Sequence, residues 1–251
     1  MKILVTAKRV TDPDMKIKVK PDGTGIVTDG MNYKVNPFDE IAIEEALRIK
    51  EKVAGTEVIV LGIGAKEQAL EIRSGLAMGA DRGIHVLCET AVDSSVIAQI
   101  MAKVYDKEKP DFMIMGKQAV DDDSNQAAQM LAGALDVPQA CFASKIELAG
   151  DAKSAKVTRE VDGGLETIEV AFPAILTADL RLNEPRYASL PGIMKAKKKK
   201  IDELPVASLG VDVTPRDKFE KMTEPASRKA GVKVADVPAL MQKLRDEAKV
   251  I

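Results

Sequence analysis

The chain has no tryptophan, five phenylalanines and three tyrosines, so aromatic rings make up 3% of its residues. Base stacking along a single strand needs a series of flat faces, and a chain this poor in them is a weak candidate for nucleic-acid binding or for enclosing a flavin unaided. A single histidine, His85, excludes a multi-histidine metal site and leaves Ser-His-Asp or Cys-His chemistry resting on one residue. It sits within Gly83-Ile84-His85-Val86-Leu87, which reads as a buried strand, and a hydrogen-bonded strand histidine accounts for it better than a general base. The two cysteines, Cys88 and Cys141, stand in no CxxC or metal-like spacing and read as reduced, buried thiols. No run of about 18 apolar residues occurs, so no membrane-spanning helix is expected. Met1-Lys2 leads straight into Ile3-Leu4-Val5, so no leader is expected either. Charge of neither sign dominates: 37 Lys and Arg stand against 39 Asp and Glu, a net charge of −2, and no global field recruits a polyanion.

What is present belongs to a folded protein: 45% hydrophobic and 30% charged residues over 251 positions suffice for a large core. Residues 3–6, 58–61, 84–87 and 112–115 form short continuous apolar runs, the pattern of central parallel strands covered on both faces. Helical patterns lie between them. Ile97, Ile100, Met101 and Val104 recur at i, i+3, i+4 and i+7, as do Ala127, Met130, Leu131 and Ala134, each spacing predicting one sheet-facing stripe. Alternation of this kind means right-handed βαβ units. Beyond Pro138 the pattern changes to strands over 142–148, 155–161 and 165–171, with a hairpin signal at Asp162-Gly163-Gly164, and 174–177 can re-enter the sheet. The expected fold class is α/β: a doubly wound, mostly parallel Rossmann-like sheet with an added antiparallel hairpin and an extended C-terminal arm. That arm begins at Leu182, holds Pro185, Pro191, Pro205, Pro215 and Pro225, and is too long for an internal loop of a compact domain. A last helix is expected over 237–248.

Four segments carry chemistry or docking. Gly62-Ile63-Gly64 follows a strand, but Glu67 breaks the dinucleotide pattern; a tight turn suffices to explain it. In Asn36-Pro37-Phe38-Asp39, Asn36 suits an N-cap, Pro37 the first helical position and Asp39 a position where its carboxylate accepts from free amides. Glu44 is placed to pair with Arg48 one turn on. Gly116-Lys117-Gln118-Ala119-Val120-Asp121-Asp122-Asp123-Ser124-Asn125-Gln126 leaves a buried strand and ends at a helix N-terminus, where free amides and the dipole favour an anion. Asp123 or Ser124 is expected to cap that helix. The physics leaves a bound nucleotide and a solvated, capped loop both open. Finally, the apolar Tyr187-Ala188-Ser189-Leu190-Pro191-Gly192-Ile193-Met194 precedes Lys195-Ala196-Lys197-Lys198-Lys199-Lys200. An apolar anchor with a charged rim predicts a protein-docking loop.

Taken together, these segments resemble the beta subunit of electron-transfer flavoprotein. The resemblance is carried by Lys8-Arg9-Val10, by 35–42, by Ala77-Met78-Gly79-Ala80-Asp81-Arg82, by 116–126, by Arg159-Glu160-Val161-Asp162-Gly163-Gly164-Leu165-Glu166, by 177–187 and by Ala230-Gly231-Val232-Lys233-Val234. It implies a larger alpha subunit that holds most of a shared FAD, with electrons taken from acyl-CoA and related flavin dehydrogenases of fatty acid oxidation. Those electrons pass to electron-transfer flavoprotein-quinone oxidoreductase. It implies a structural AMP against Thr6, Asn36 to Asp39, Ile63 and Gly116 to Ala127. Family members often have Ala at the position of Thr6, and several have Cys at that of Ile63. Where some relatives place a Tyr near the flavin, this chain has Pro13, and the unbroken Asp121-Asp122-Asp123 matches the AMP type rather than the bifurcating type with a second FAD. Tyr187, Leu190, Pro191, Ile193, Met194, Lys195, Lys197 and Lys198 match the segment that docks dehydrogenases, with Leu190 as anchor. No acid, base or nucleophile is required of the chain. The implied division is an AMP-binding domain over 1–181 and a recognition loop with a partner-packing arm over 182–251. The implied compartment is the cytoplasm of a bacterium or the mitochondrial matrix of a eukaryote. Competing readings are a universal-stress type nucleotide-binding module and an adenylating enzyme; the first leaves the Pro-rich third unexplained and the second lacks a pyrophosphate-binding glycine motif.

Overall fold

The computed structural model describes residues 1–228 and 230–251; Lys229, within the expected arm, lies outside the described residues. The chain forms two units. The first spans 1–16 and 28–219, and the second 17–27 and 220–251.

In chain order the first unit holds β1 (Lys2–Thr6), β2 (Arg9–Thr11), β3 (Tyr33–Val35), α1 (Pro37–Lys52), β4 (Glu57–Gly64), α2 (Gln68–Met78), β5 (Arg82–Leu87) and α3 (Ser94–Glu108). It continues through β6 (Phe112–Gly116), α4 (Ala127–Leu135), β7 (Gln139–Leu148), β8 (Ser154–Val161), β9 (Gly164–Ala171), β10 (Ala174–Ala178), α5 (Leu190–Ala196) and β11 (Ile201–Pro205). Nine strands make one sheet in the order β11-β5-β4-β1-β6-β10-β7-β8-β9. Pairing is parallel from β11 through to β7 and antiparallel across β7, β8 and β9. The expected mixed sheet with its hairpin is therefore present, and β10 does re-enter it, between β6 and β7.

The apolar runs are continuous because both faces of the central strands are covered. Ile3, Val5, Val58, Val60 and Ile114 face one cluster with Ile41, Ile43 and Ile72 from α1 and α2. Leu4, Ile59, Leu61, Met113 and Met115 face the other with Ile100, Met101 and Leu131 from α3 and α4. Burying each such side chain contributes about 1.5–3 kcal/mol.

Two expectations are corrected. In α4 the buried stripe is Ala128, Leu131 and Ala132, while Met130 is 41% exposed; the helix is rotated by about one residue from the predicted face. The chain beyond Leu182 is not bare arm: α5 and β11 both lie there, and β11 pairs with β5 from Ile201 opposite Gly83 to Pro205 opposite Leu87. Its sequence, Ile-Asp-Glu-Leu-Pro, is half polar because an edge strand has one neighbour and an open side. In the second unit Val19 bridges Ile26, and α6 (Val237–Asp246) begins with Asp236 accepting from the Ala239 amide at 2.8 Å.

The 179–187 segment is laced to α1. Glu44 is buried; its carboxylate accepts from Arg48 Nε at 2.8 Å and Arg186 Nε at 2.7 Å. Asn183 Nδ2 donates to Ile41 O and to Glu45 Oε2. Burial alone would raise the Glu44 carboxyl, but the two guanidinium groups outweigh it and hold it below its ordinary value of 4.5. Because the folded chain binds this proton more weakly than the unfolded one, the stabilisation is complete above that ordinary value and is lost as pH falls through the depressed one. Glu44→Gln is expected to lower stability by about 1–2 kcal/mol at pH 7, the arginines being partly exposed. The gap to wild type should narrow as pH falls below 4.5 and close as it passes through the depressed value. Urea midpoints measured from pH 7 to 3 test this, and a gap that stays constant with pH refutes it.

Candidate functional site

In a doubly wound sheet the ligand crevice opens at the carboxyl ends of the strands where the order reverses. Here β1 is flanked by β4 on one side and β6 on the other, and a cleft of about 730 Å³ opens at that point. Thr6 ends β1, Ile63 lies near the end of β4 and Gly116 ends β6.

Asp39 joins these strand ends. Its Oδ1 accepts from Thr6 Oγ1 at 2.7 Å and Gly116 N at 2.9 Å, and its Oδ2 from Lys8 N at 2.8 Å. It sits on the first turn of α1, yet these donors come from β6 and from the end of β1 and the residues after it, not from its own helix. Burial pushes its carboxyl up, against these hydrogen bonds and the charge of Lys8. Asn36 also departs from expectation. It occupies the N-cap position but makes no side-chain cap bond. Instead Nδ2 donates to Gln118 O at 2.9 Å, and Oδ1 accepts from Val120 N at 3.2 Å, so Asn36 fastens the 116–126 loop to α1. Pro37 takes a first-turn position as expected. Phe38 is buried beneath Gly116.

The aspartate run is divided by role. Lys8 Nζ binds Asp121 at 2.8 Å and Asp122 at 3.0 Å. Burial works against the charged Lys8, but these carboxylates more than offset it and raise its pKa. Asp122 Oδ1 also accepts from Ser124 N, and Asp123 Oδ1 accepts from Gln118 Nε2 at 2.7 Å. Neither Asp123 nor Ser124 caps α4: the N-cap is Gln126, with no side-chain cap bond. Asp123 and Asn125 adopt φ of 49° and 48°, residue types that tolerate the left-handed region. Lys117 is held by Asp179 at 2.7 Å, over the rings of Phe38 and Phe142.

Of the residues singled out in the sequence, Thr6, Asn36, Asp39, Ile63, Gly116, Lys117, Gln118, Ala119, Asp122, Ser124, Asn125, Gln126 and Ala127 line the cleft. Pro37, Phe38, Val120, Asp121 and Asp123 do not; the last four brace residues that do. The other wall was not read from the sequence. It comprises the turn from Cys88 to Ser94 after β5, and a strap including Pro215, Asp217, Lys218 and Phe219. Asp93 joins the two. Its Oδ1 caps α3 through Val96 N, and its Oδ2 accepts from the backbone N–H of Arg216 and Asp217. The Asp93-Ser94-Ser95 cap signal was visible; the strap contact, over more than a hundred residues of separation, was not.

His85 is buried, with Nε2 3.1 Å from both Gly64 O and Ala65 O, so it behaves as a strand histidine. Among the described residues no cluster of acidic, histidine or cysteine side chains could hold a metal ion, and no helix is long and apolar enough to cross a membrane. Tyr187, Leu190, Pro191, Ile193, Met194, Lys195, Lys197 and Lys198 are all exposed on α5 and its flanks. The expected loop is a short helix there, with Ser189 Oγ accepting from Gly192 N.

The fold and site define a doubly wound α/β protein with a cleft at its switch point and an exposed apolar patch on a separate short helix. Residues 24–209 match the Electron transfer flavoprotein domain. The chain is 57% identical to electron transfer flavoprotein subunit beta of Bradyrhizobium diazoefficiens over 251 residues, covering all of both chains. It is 51% identical to the Homo sapiens subunit beta over 254 residues, covering 100% of this chain and 99% of that one. With the Arabidopsis thaliana protein named as mitochondrial, identity is 52% over 251 residues. The chain belongs to the electron transfer flavoprotein family, as a beta subunit.

Proposed function

We propose that this chain is the nucleotide-holding, partner-docking half of a heterodimeric electron carrier. The larger alpha subunit holds most of the FAD, and acyl-CoA and related dehydrogenases deliver electrons that leave to a quinone oxidoreductase. FAD supplies the electron-carrying chemistry when bound. The beta chain contributes no acid, base or nucleophile; it encloses, orients and docks. With Pro13 at the position where some relatives have a ring, contact with the flavin falls to other residues.

The observation carrying the AMP assignment is the state of the loop before α4. No side chain caps this helix, so its first amides are free for an anion, and Lys8, bound to both Asp121 and Asp122, offsets one of their two charges. A phosphate there meets amide donors, and of the three aspartates only Asp122, paired with Lys8, lines the cleft. Gly116 to Ala127 would hold the nucleotide, with Thr6, Asn36, Asp39 and Ile63 completing the wall. Residues 182–251 would carry most contacts to partners. The compartment is the cytoplasm of a bacterium or a mitochondrial matrix.

The test is co-expression with an alpha subunit, followed by denaturation and chromatography of the released small molecules. One FAD and one AMP per heterodimer are expected. Two FAD and no AMP would move the protein to the bifurcating type, and recovery of neither would refute the reading.

A further inference from the structure

The apolar face of α5 is exposed, which ordinarily makes a seven-residue helix floppy: isolated helices this short do not hold together in water. The surrounding contacts remove that freedom. Gly192 and Ala196, one turn apart, face α2. A Cβ at Gly192 would stand 2.6 Å from Ala77 O, so only glycine lets the two helices approach this closely, and Ala196 is buried. This turns Leu190, Ile193 and Met194 outward, at 73%, 41% and 57% exposure.

The two helix ends then exchange caps. The carboxyl end of a helix presents orphan carbonyls and partial negative charge, which a cation satisfies. The last turn of α2 contains no basic residue of its own. Lys199, in the turn after α5, supplies one: its Nζ donates to Leu76 O at 3.2 Å and to Ala80 O. In return Arg73 of α2 donates through Nη1 to Ala196 O at 2.7 Å and Lys199 O at 2.6 Å, closing the end of α5. The turn continues directly into the sheet, where Gly83 N donates to Lys200 O at 3.0 Å. On the other side Arg186 is fixed to Glu44 and Glu51. Lys199 therefore does not belong to the basic rim; it is turned inward.

We infer that Arg73 and Lys199 are positioning residues that hold α5 as a rigid platform for the electron-donating partner, a protein that seats Leu190 in an apolar pocket. This rests on the docking assignment of α5 made above. A brief redox encounter buries little surface, so it cannot supply the energy to order a mobile anchor each time. A preformed helix removes that cost from every encounter.

The experiment uses the heterodimer and an acyl-CoA dehydrogenase as reductant. Lys199→Met and Arg73→Met are compared with Leu190→Ala by steady-state reduction at varied carrier concentration, and by amide hydrogen exchange over residues 190–199 in the carrier alone. Both methionine variants should raise exchange in α5 by about tenfold or more. They should also raise KM for the carrier by about three- to tenfold, with kcat within twofold and FAD content unchanged. Lys199→Arg, which keeps a donor and the charge, should stay close to wild type in both readouts. If Leu190→Ala raises KM while the methionine variants do not, the positioning inference falls alone. If Leu190→Ala leaves KM unchanged, the docking assignment falls and takes the inference with it. Unchanged exchange in α5 also overturns the inference. Should either methionine variant fail to fold, Lys199→Gln and Arg73→Gln take the same measurements under the same criteria.

Discussion

Asp39→Ala should lower stability by about 3–5 kcal/mol and abolish nucleotide retention, because one carboxylate closes three strand-end donors at once. Truncation leaves the Thr6 hydroxyl and the Lys8 and Gly116 amides facing a hole in a buried site. Each orphaned donor costs about 1–3 kcal/mol when water cannot replace its partner. Part of this is returned, since the wild-type charge is held at a burial cost that raises its pKa. Asp39→Asn separates the two effects. An amide can still accept from Thr6 and Gly116 through its oxygen, but it then turns its NH2 toward the Lys8 N–H, donor against donor. The expected loss for asparagine is about 1–2 kcal/mol, smaller than for alanine. Urea denaturation of the heterodimer at fixed protein concentration, with AMP quantified after denaturation, decides it. An alanine variant within 1 kcal/mol of wild type that still retains nucleotide would show that Asp39 is a bystander.

The same residue marks how far the sequence could be read. Pro37 and the acidic first turn announced a helix start at 36–39, and the helix is there. Local rules assign Asn36 and Asp39 to that helix because capping is the nearest use of a short polar side chain. In the structure their partners are 77 or more residues away for Gly116 and for Val120, and no local pattern encodes those contacts. Helix and strand periods were legible for the same reason that long-range polar contacts were not: periodicity records which face is buried, not what the polar atoms reach. The α4 face illustrates a weaker signal. Alanine is apolar enough to count on either side of the helix, so a stripe built from Ala127 and Ala134 competed with one built from Ala128 and Ala132, and only packing decided between them. The edge strand β11 escaped because its stabilisation comes from backbone pairing with β5, which leaves side chains free to be polar. The 177–187 stretch was recognisable by resemblance alone, and its physical role, lacing the chain across α1 through Asn183 and Arg186, emerges only in three dimensions.

Gly116→Ala is the second large effect, and here the cost comes from an added methyl group. A Cβ on Gly116 would lie 2.7 Å from Phe38 Cβ, 2.8 Å from Asp39 Oδ1 and 3.0 Å from Asn36 Nδ2. The first of these atoms is fixed to the backbone of α1, which is packed through Ile41 and Ile43 against the sheet, so it cannot swing aside as the tip of a flexible side chain would. Either β6 or the start of α1 must move. Either movement stretches the Gly116 N bond to Asp39 and the Asn36 bonds that hold Gln118 and Val120. Overpacking with the loss of one buried hydrogen bond predicts a loss of about 2–4 kcal/mol. Because the methyl group displaces the first residue of the loop before α4, AMP retention should fall by about tenfold or more. Gly133→Ala provides the opposite case in the same protein. It lies within α4 with nothing within 4 Å of its would-be Cβ, so alanine there should stabilise by about 0.4–1 kcal/mol through helix propensity and a less flexible unfolded chain. Denaturation of the two variants in parallel, with nucleotide content measured on each, separates a general glycine effect from a crowded strand end. If Gly116→Ala matches wild type in both readouts, the junction of β6 with α1 is more pliable than its packing implies, and Asn36 and Asp39 do not set the shape of the loop.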